Sequence, residues 1–185
     1  MTVKSPVALD SQETEINLLI KGGEHCVDQC EALLNMISEE AYVQLTQDSS
    51  SIGTHMRHVL DRFQCLLTGL PDKTVDYDAR RRDKSIETNK AAARFAATTL
   101  KRRLRKLGRN LEQGSEPDAE LLVRESVHHE SPQVSVSSNL QRELMGLITH
   151  ATHHLALMVM LGKQLGYEFD KDLGKAPSTI IHERS

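Results

Sequence analysis

Histidine is the residue type whose distribution in this chain carries the most chemical information. The 185 residues include nine histidines, five of them in two tight groups, His55 with His58 and His150 with His153 and His154. Residues four apart on a helix lie one turn apart on the same face. His150 and His154 can therefore offer two imidazole nitrogens to one divalent metal ion at about 2.0–2.1 Å. The spacing predicts a metal site on a helix.

A third histidine from the other group would complete such a site, and periodicity leaves its identity open. At about 100° of rotation per residue, His154 falls within the apolar stripe of its helix, His150 beside it and His153 toward its edge. The same arithmetic places His55 nearer than His58 to the apolar stripe of the second helix. Periodicity alone weakly favours His55. Three neutral imidazoles leave open positions on a metal, as catalytic sites do.

Glu143 lies close to the line of His150 and His154, about two turns before His150. A carboxylate there suits a general base, which is the catalytic role we predict for it, or an outer hydrogen-bond partner of a histidine. A salt bridge to a basic residue of a neighbouring helix is an equally good alternative.

Hydrophobic periodicity predicts the helices that position these residues. Apolar residues recur three or four apart in four stretches. Serine caps open the second stretch, Gly69 and Pro71 close it, and Gly108 is expected to end the third. With no strong strand signal, the pattern predicts an all-α fold, a four-helix bundle in one domain spanning residues 1–185. The predicted helices cover about residues 11–37, 50–70, 87–107 and 135–166.

Two polar segments separate these helices. Residues 72–86 lack an apolar period, which predicts a long connection of the kind that often carries function. Its arginines, Arg80 to Arg82, could receive an anionic substrate. In the second connection, residues 112–132, the stretch ELLVRESV is interpreted as a short strand or an extended arm.

Composition excludes several classes of function. A net charge of −3 gives no general attraction to nucleic acid, and the basic run KRRLRKLGRN has no interleaved aromatics, so we interpret it as a solvated helix end. Three cysteines are too few and too unevenly spaced for a secreted disulfide framework, and we expect reduced core thiols. The first fifteen residues have no apolar h-region and no run of about 18 apolar residues occurs, so we expect neither a signal peptide nor a membrane span. We expect a cytoplasmic protein that contacts no membrane.

At its histidines the chain resembles the DinB-like (DinB/YfiT) superfamily of metalloenzymes, over nearly its whole length. Members place an H-x-x-D pattern on the second helix after a Ser-Ile-Gly-like start, and H-x-x-x-H on the last helix. Here SSIGTHMRHVLD supplies His58 and Asp61, and HATHH supplies His150 and His154. The resemblance implies that His58, His150 and His154 bind the metal. It replaces the weak preference for His55.

The resemblance also implies a bundle with crossed-over connectivity, frequent homodimers, and Zn, Ni or Fe as the ion. Some relatives use low-molecular-weight thiols as co-substrates and others are hydrolases. Leu155 and Ala156 follow the last histidine where thiol transferases often have Arg-Gly, which argues against that activity. We therefore expect a divalent-metal-dependent hydrolase or thiol-dependent transferase acting on a small molecule. The alternative is a non-catalytic metal-binding helical module for stress response or binding.

Overall fold

The computed structural model describes residues 14–45, 50–113 and 120–185. Helices account for most of them, and a small sheet lies at one side. The elements in chain order are α1 (Glu15–Met36), α2 (Glu39–Val43), α3 (Ile52–Gly69), β1 (Thr74–Asp76), α4 (Lys84–Thr88), α5 (Lys90–Glu112), β2 (Glu120–Glu125), β3 (Val134–Asn139), α6 (Leu140–Gln164) and α7 (Pro177–Glu183). The predicted start of the first helix, residues 11–13, lies outside the described residues.

Four long helices, α1, α3, α5 and α6, correspond to the four predicted from periodicity. Two of the predicted ends were wrong. Gly108 does not end α5, which continues to Glu112, and Gly108 is buried inside the helix. The helix α6 begins at Leu140 rather than near residue 135, because Asn139 caps it by accepting a hydrogen bond from the backbone N–H of Arg142 at 2.8 Å.

The fold is mostly helical, as predicted, and a small three-stranded sheet is added to the helices. β2 pairs in parallel with β1 and antiparallel with β3, with Val123 opposite Val75 on one side and Val136 on the other. The extended interpretation of ELLVRESV is therefore confirmed as β2. β3 was hidden within the predicted last helix, although its alternating valines and serines have the period of two that is typical of strands.

The polar connection 72–86 also has regular structure, since it contains β1 and the start of α4. Val75 of β1 and Tyr77, which follows the strand, are both buried, so two residues anchor this otherwise polar segment in the core. The short helix α4 begins at Asp83, whose carboxylate accepts a hydrogen bond from the backbone N–H of Ser85 at 2.9 Å. The segment that follows the second long helix is therefore ordered at both ends.

Helix packing accounts for the core. α1 packs against α5 and α6, and α3 packs against the same two helices. The basic run of α5 pairs with acidic residues of α1: Arg105 Nε lies 2.8 Å from Glu24 Oε2, and Lys101 Nζ lies 3.4 Å from Glu31 Oε2. These pairs are partly exposed and each contributes little stability. Through them the basic run contacts α1 as well as solvent.

By length and composition, α6 is the one helix of the described residues that could cross a membrane. This is weak evidence, because a core helix of a water-soluble domain passes the same test. α6 packs against α1 and α3, and it carries His150, His153 and His154. The expectations of a cytoplasmic location and of no membrane contact stay predictions.

Gly53, in the first turn of α3, allows α4 to approach closely. A Cβ atom at this position would lie 2.0 Å from the backbone oxygen of Glu87. The hydroxyl of Tyr42 donates to the backbone oxygen of Ile86 at 2.5 Å, which fixes α4 from a second side. The glycine of the SSIGTH segment is therefore required by packing.

Replacing Gly53 with Ala should destabilise the protein by about 1–3 kcal/mol, because the new methyl group meets backbone rather than a flexible side chain. The matched control is Gly146→Ala in α6, where a Cβ atom would meet nothing within 4 Å. That change should stabilise the helix by about 0.5–1 kcal/mol. Urea denaturation measures the free energy of unfolding of both variants. Similar midpoints for the two variants would contradict the close approach.

Candidate metal centre

Three histidines from two helices converge in the structure. His58 lies on α3, and His150 and His154 lie one turn apart on α6. One ring nitrogen of each lies within 4.8 Å of the others. The Nε2 atoms of His58 and His150 are 2.9 Å apart. The ring centroids are 4.6 to 4.9 Å apart. The residues named by the resemblance are thus brought together.

This spacing fits one divalent ion. Tetrahedral bonds of about 2.0–2.1 Å place ligand nitrogens about 3.3 Å from one another. The His58 and His150 nitrogens are already closer than that, so small side-chain rotations suffice to open the site. All three side chains are partly buried, neither fully enclosed nor fully solvated. The group could hold a metal ion with part of its coordination sphere open.

The three imidazoles are held in the neutral form that metal binding requires. Burial, followed by the neighbouring imidazoles and two nearby arginines, lowers the pKa of His58 to about 3. Burial, followed by the neighbouring histidines, lowers the pKa of His154 to about 4. The pKa of His150 is also lowered, chiefly by burial. No proton therefore competes with a metal near neutral pH.

The two other grouped histidines occupy different positions. His55 Nδ1 lies 3.0 Å from His154 Nδ1, so His55 can hold the second nitrogen of His154. His153 is exposed, with its ring centroid 5.3 Å from that of His154. Outer partners of this kind fix the orientation of a ligand histidine. The helical wheel was thus right to place His55 near the core, but His55 contacts the three-histidine group from outside.

The aspartate of the H-x-x-D pattern organises the surroundings of His58. Asp61 is 5% exposed and accepts a hydrogen bond from Arg57 at 3.2 Å. It also accepts one from the backbone N–H of Arg82, in the loop before α4. Burial nevertheless raises the pKa of Asp61 above its usual range. Asp61 thus ties this loop to the helix that carries His58.

Glu143 contacts two hydroxyl groups. The Tyr77 hydroxyl donates to Glu143 Oε2 at 2.6 Å, and the Ser138 hydroxyl donates to Oε1 at 2.5 Å. The Tyr77 ring in turn lies 4.0 Å below the guanidinium of Arg62, which pairs with Glu125. Among the described residues Glu143 forms neither a salt bridge nor a bond to histidine. Its role as general base stays a prediction.

The cysteines are not part of this group. All three are free thiols; Cys26 and Cys30 are buried and Cys65 is partly buried. Burial raises the pKa of Cys26 to about 11 and raises that of Cys30 as well, which keeps both protonated and unreactive. The expectation of reduced core thiols agrees with these positions.

Comparison with known protein families matches residues 19–172 to the model of the DinB family. The chain belongs to the DinB family. The resemblance carried by SSIGTHMRHVLD and HATHH is therefore confirmed. Searches of curated proteins and of solved structures each found no match.

Within this DinB family chain, sequence reasoning named Arg80 but missed Arg62 and its partner Glu125. Arg62 lies one turn after His58 on α3, a spacing that a helical wheel shows. Arg62 meets Glu125 because β2 runs beside β1. No local sequence pattern predicts the pairing of these two distant strands. The contact between Tyr77 and Glu143 likewise depends on how the sheet meets α6.

Acid should destabilise the metal-free protein through these histidines. The pKa of an unfolded histidine is about 6.5, whereas His58 and His154 have values of about 3 and about 4 when folded. Between these values the unfolded chain binds more protons, so the free energy of unfolding falls as pH falls from about 7 to about 4. Urea midpoints across this range measure the loss.

The control for this experiment is a variant with His58→Gln and His154→Gln. It lacks both titrating rings, so its midpoint should depend less on pH over the same range. An equally steep dependence in the variant would assign the effect to other groups.

Proposed function

We propose that this DinB family protein is a divalent-metal-dependent enzyme that acts on a small molecule, with His58, His150 and His154 as the metal ligands. The convergence of three ring nitrogens from α3 and α6 is the observation that carries the proposal. The reaction class is hydrolysis or thiol-dependent transfer, and the expected ions are Zn, Ni or Fe. A bound metal with three imidazole ligands supplies an open position that activates a water molecule or a thiolate.

The residues around the group suit catalysis better than a closed structural site. A structural zinc site usually has four protein ligands. Here the three-histidine group includes no Cys, Asp or Glu of the described residues. Glu143 lies on α6 with two of the ligands, and its carboxylate accepts a hydrogen bond from Tyr77 at 2.6 Å. We assign Glu143 as the general base, with Tyr77 and Ser138 orienting its carboxylate.

We also infer that the four long helices form the crossed-over four-helix bundle that the resemblance implied. The support is the pattern of packing, in which α1 and α3 each contact α5 and α6. This arrangement leaves α1 opposite α3 and α5 opposite α6, so two connections cross the bundle. It places two ligands on α6 and one on its neighbour α3.

The alternative is a metal-binding module without catalysis, in which the metal only joins α3 to α6. Chelation would then lower the thermal stability of the protein, while thioester, amide, phosphoester and thiol substrates would show no turnover. A metal-dependent turnover above background would exclude this alternative. The open coordination positions that three histidine ligands would leave on a metal favour the enzyme.

Purified protein should bind about one divalent ion per chain, and the double variant His150→Ala and His154→Ala should lose it. The matched control replaces His128 and His129, an exposed pair whose ring centroids are 4.6 Å apart. Alanine at these two positions should leave the metal content unchanged. Elemental analysis of dialysed samples measures it. Full occupancy in the first variant would refute the assigned ligands.

Replacing Glu143 with Gln should lower kcat by about 10²–10⁴-fold in the reaction that a substrate screen identifies, because the amide cannot accept a proton. The amide oxygen still accepts the hydrogen bond from Tyr77, so folding should be preserved. Metal content serves as the control and should stay at the wild-type level. A wild-type kcat in this variant would remove Glu143 from the mechanism.

A further inference from the structure

Arg80 lies against the three-histidine group with part of its hydrogen-bonding capacity unused. It belongs to the loop between β1 and α4, and its NH1 atom lies 2.9 Å from Nδ1 of His58. Its Nε atom is buried and has no hydrogen-bond partner among the described residues. A buried guanidinium N–H without an acceptor is unfavourable by about 1–3 kcal/mol. Such an atom beside a functional site indicates an acceptor supplied by a ligand.

The charges around the site favour the binding of an anion. Three neutral imidazoles would leave a divalent ion with both of its charges, and Arg80 adds one more. Arg62 is paired with Glu125, yet its Nε atom is also buried without a partner.

The carboxylates near Arg80 already bind other groups. Asp61 is bound to Arg57, and Asp78 accepts hydrogen bonds from the backbone and hydroxyl of Ser126, each at 2.7 Å. Arg80 itself forms no ion pair within the part of the chain that the structure describes. No described carboxylate is therefore paired directly with Arg80, although the charges of Asp61 and Asp78 reach it.

On this basis we propose that Arg80 binds an anionic group of the substrate, a carboxylate or a phosphate, next to the metal ligands, with Arg62 adding positive charge beside it. The inference rests on the proposed metal centre and names the class of molecule that it receives. A guanidinium offers two parallel N–H groups, which match two oxygens of either anion.

The chemistry of His58 supports this role. A guanidinium only donates, so Nδ1 of His58 accepts the bond from Arg80 and the proton of the neutral ring lies on Nε2. Nε2 is the atom that faces His150. A metal held at Nε2 would require the ring proton on Nδ1, where it would oppose the Arg80 donor. Arg80 must then exchange His58 for another acceptor, and an anion beside the metal is the natural one.

The loop that carries Arg80 is anchored on both sides. Asp76 Oδ1 accepts hydrogen bonds from the backbone of Asp78 at 2.9 Å and of Ala79 at 3.1 Å. On the other side, the backbone of Arg82 donates to Asp61. The guanidinium is thus presented from a fixed backbone, which reduces the entropy lost when it binds an anion.

The test titrates Co²⁺-loaded protein with inorganic phosphate, acetate and uncharged acetamide, and follows the visible absorption of the bound Co²⁺. Phosphate or acetate should perturb the spectrum and acetamide should not, and the tighter of the two identifies the anion class. The variant Arg80→Gln should weaken anion binding about tenfold or more. Arg80→Lys, which keeps the charge and loses the paired N–H groups, should give an intermediate value.

The matched control is Arg81→Gln, at an exposed position of the same loop, which should bind the anion as wild type does. Co²⁺ stoichiometry and melting temperature are measured on every variant. Equal anion affinity in wild type and Arg80→Gln, or loss of Co²⁺ from Arg80→Gln, would overturn the inference while the metal centre stands. Failure of the wild-type protein to bind any divalent ion would overturn both.

Discussion

The packing of α3 against α6 is the constraint on which the site depends. One helix can supply two imidazoles from the spacing of His150 and His154, but a third nitrogen must come from a neighbour. His58 directly precedes the buried Val59, and His154 directly precedes the buried Leu155. When the two apolar stripes pack together, the histidines beside them are forced to the same edge of the contact.

The position at an edge, rather than in the centre, explains the chemistry of the group. Burial is sufficient to keep the imidazoles neutral, because desolvation is the largest cause of each lowered pKa. It is also incomplete, because all three side chains stay partly exposed. His153, one residue before His154, is exposed and lies outside the three-histidine group.

Sequence periodicity predicted the four long helices because their apolar residues repeat with the period of a helix over many turns. It did not decide between His55 and His58, because both lie within a turn of the same stripe and a site at a helix edge can be reached from either flank. The motif resemblance selected His58. The structure shows why both candidates had merit, since His55 contacts His154 from the outer side.

The sheet could not be predicted in the same way, because its stability comes from pairing between distant segments. β1 has three residues, and its hydrogen-bond partner β2 lies more than forty residues later in the chain. Within β3 the serines gave little hydrophobic signal, and the strand is mostly exposed. The sheet therefore adds little to the core beyond Val75, Leu121 and Val123.

The main contribution of the sheet is to position side chains near the histidines. β1 leads directly into Tyr77, which contacts Glu143, and into the loop that presents Arg80 to His58. A polar segment without periodicity acquires a fixed conformation only through such pairing and through Asp61 and Asp76. The segment with the weakest hydrophobic pattern thus carries the side chains that approach the histidines. Hydrophobic patterning specifies the helical scaffold, whereas the polar contacts depend on tertiary structure.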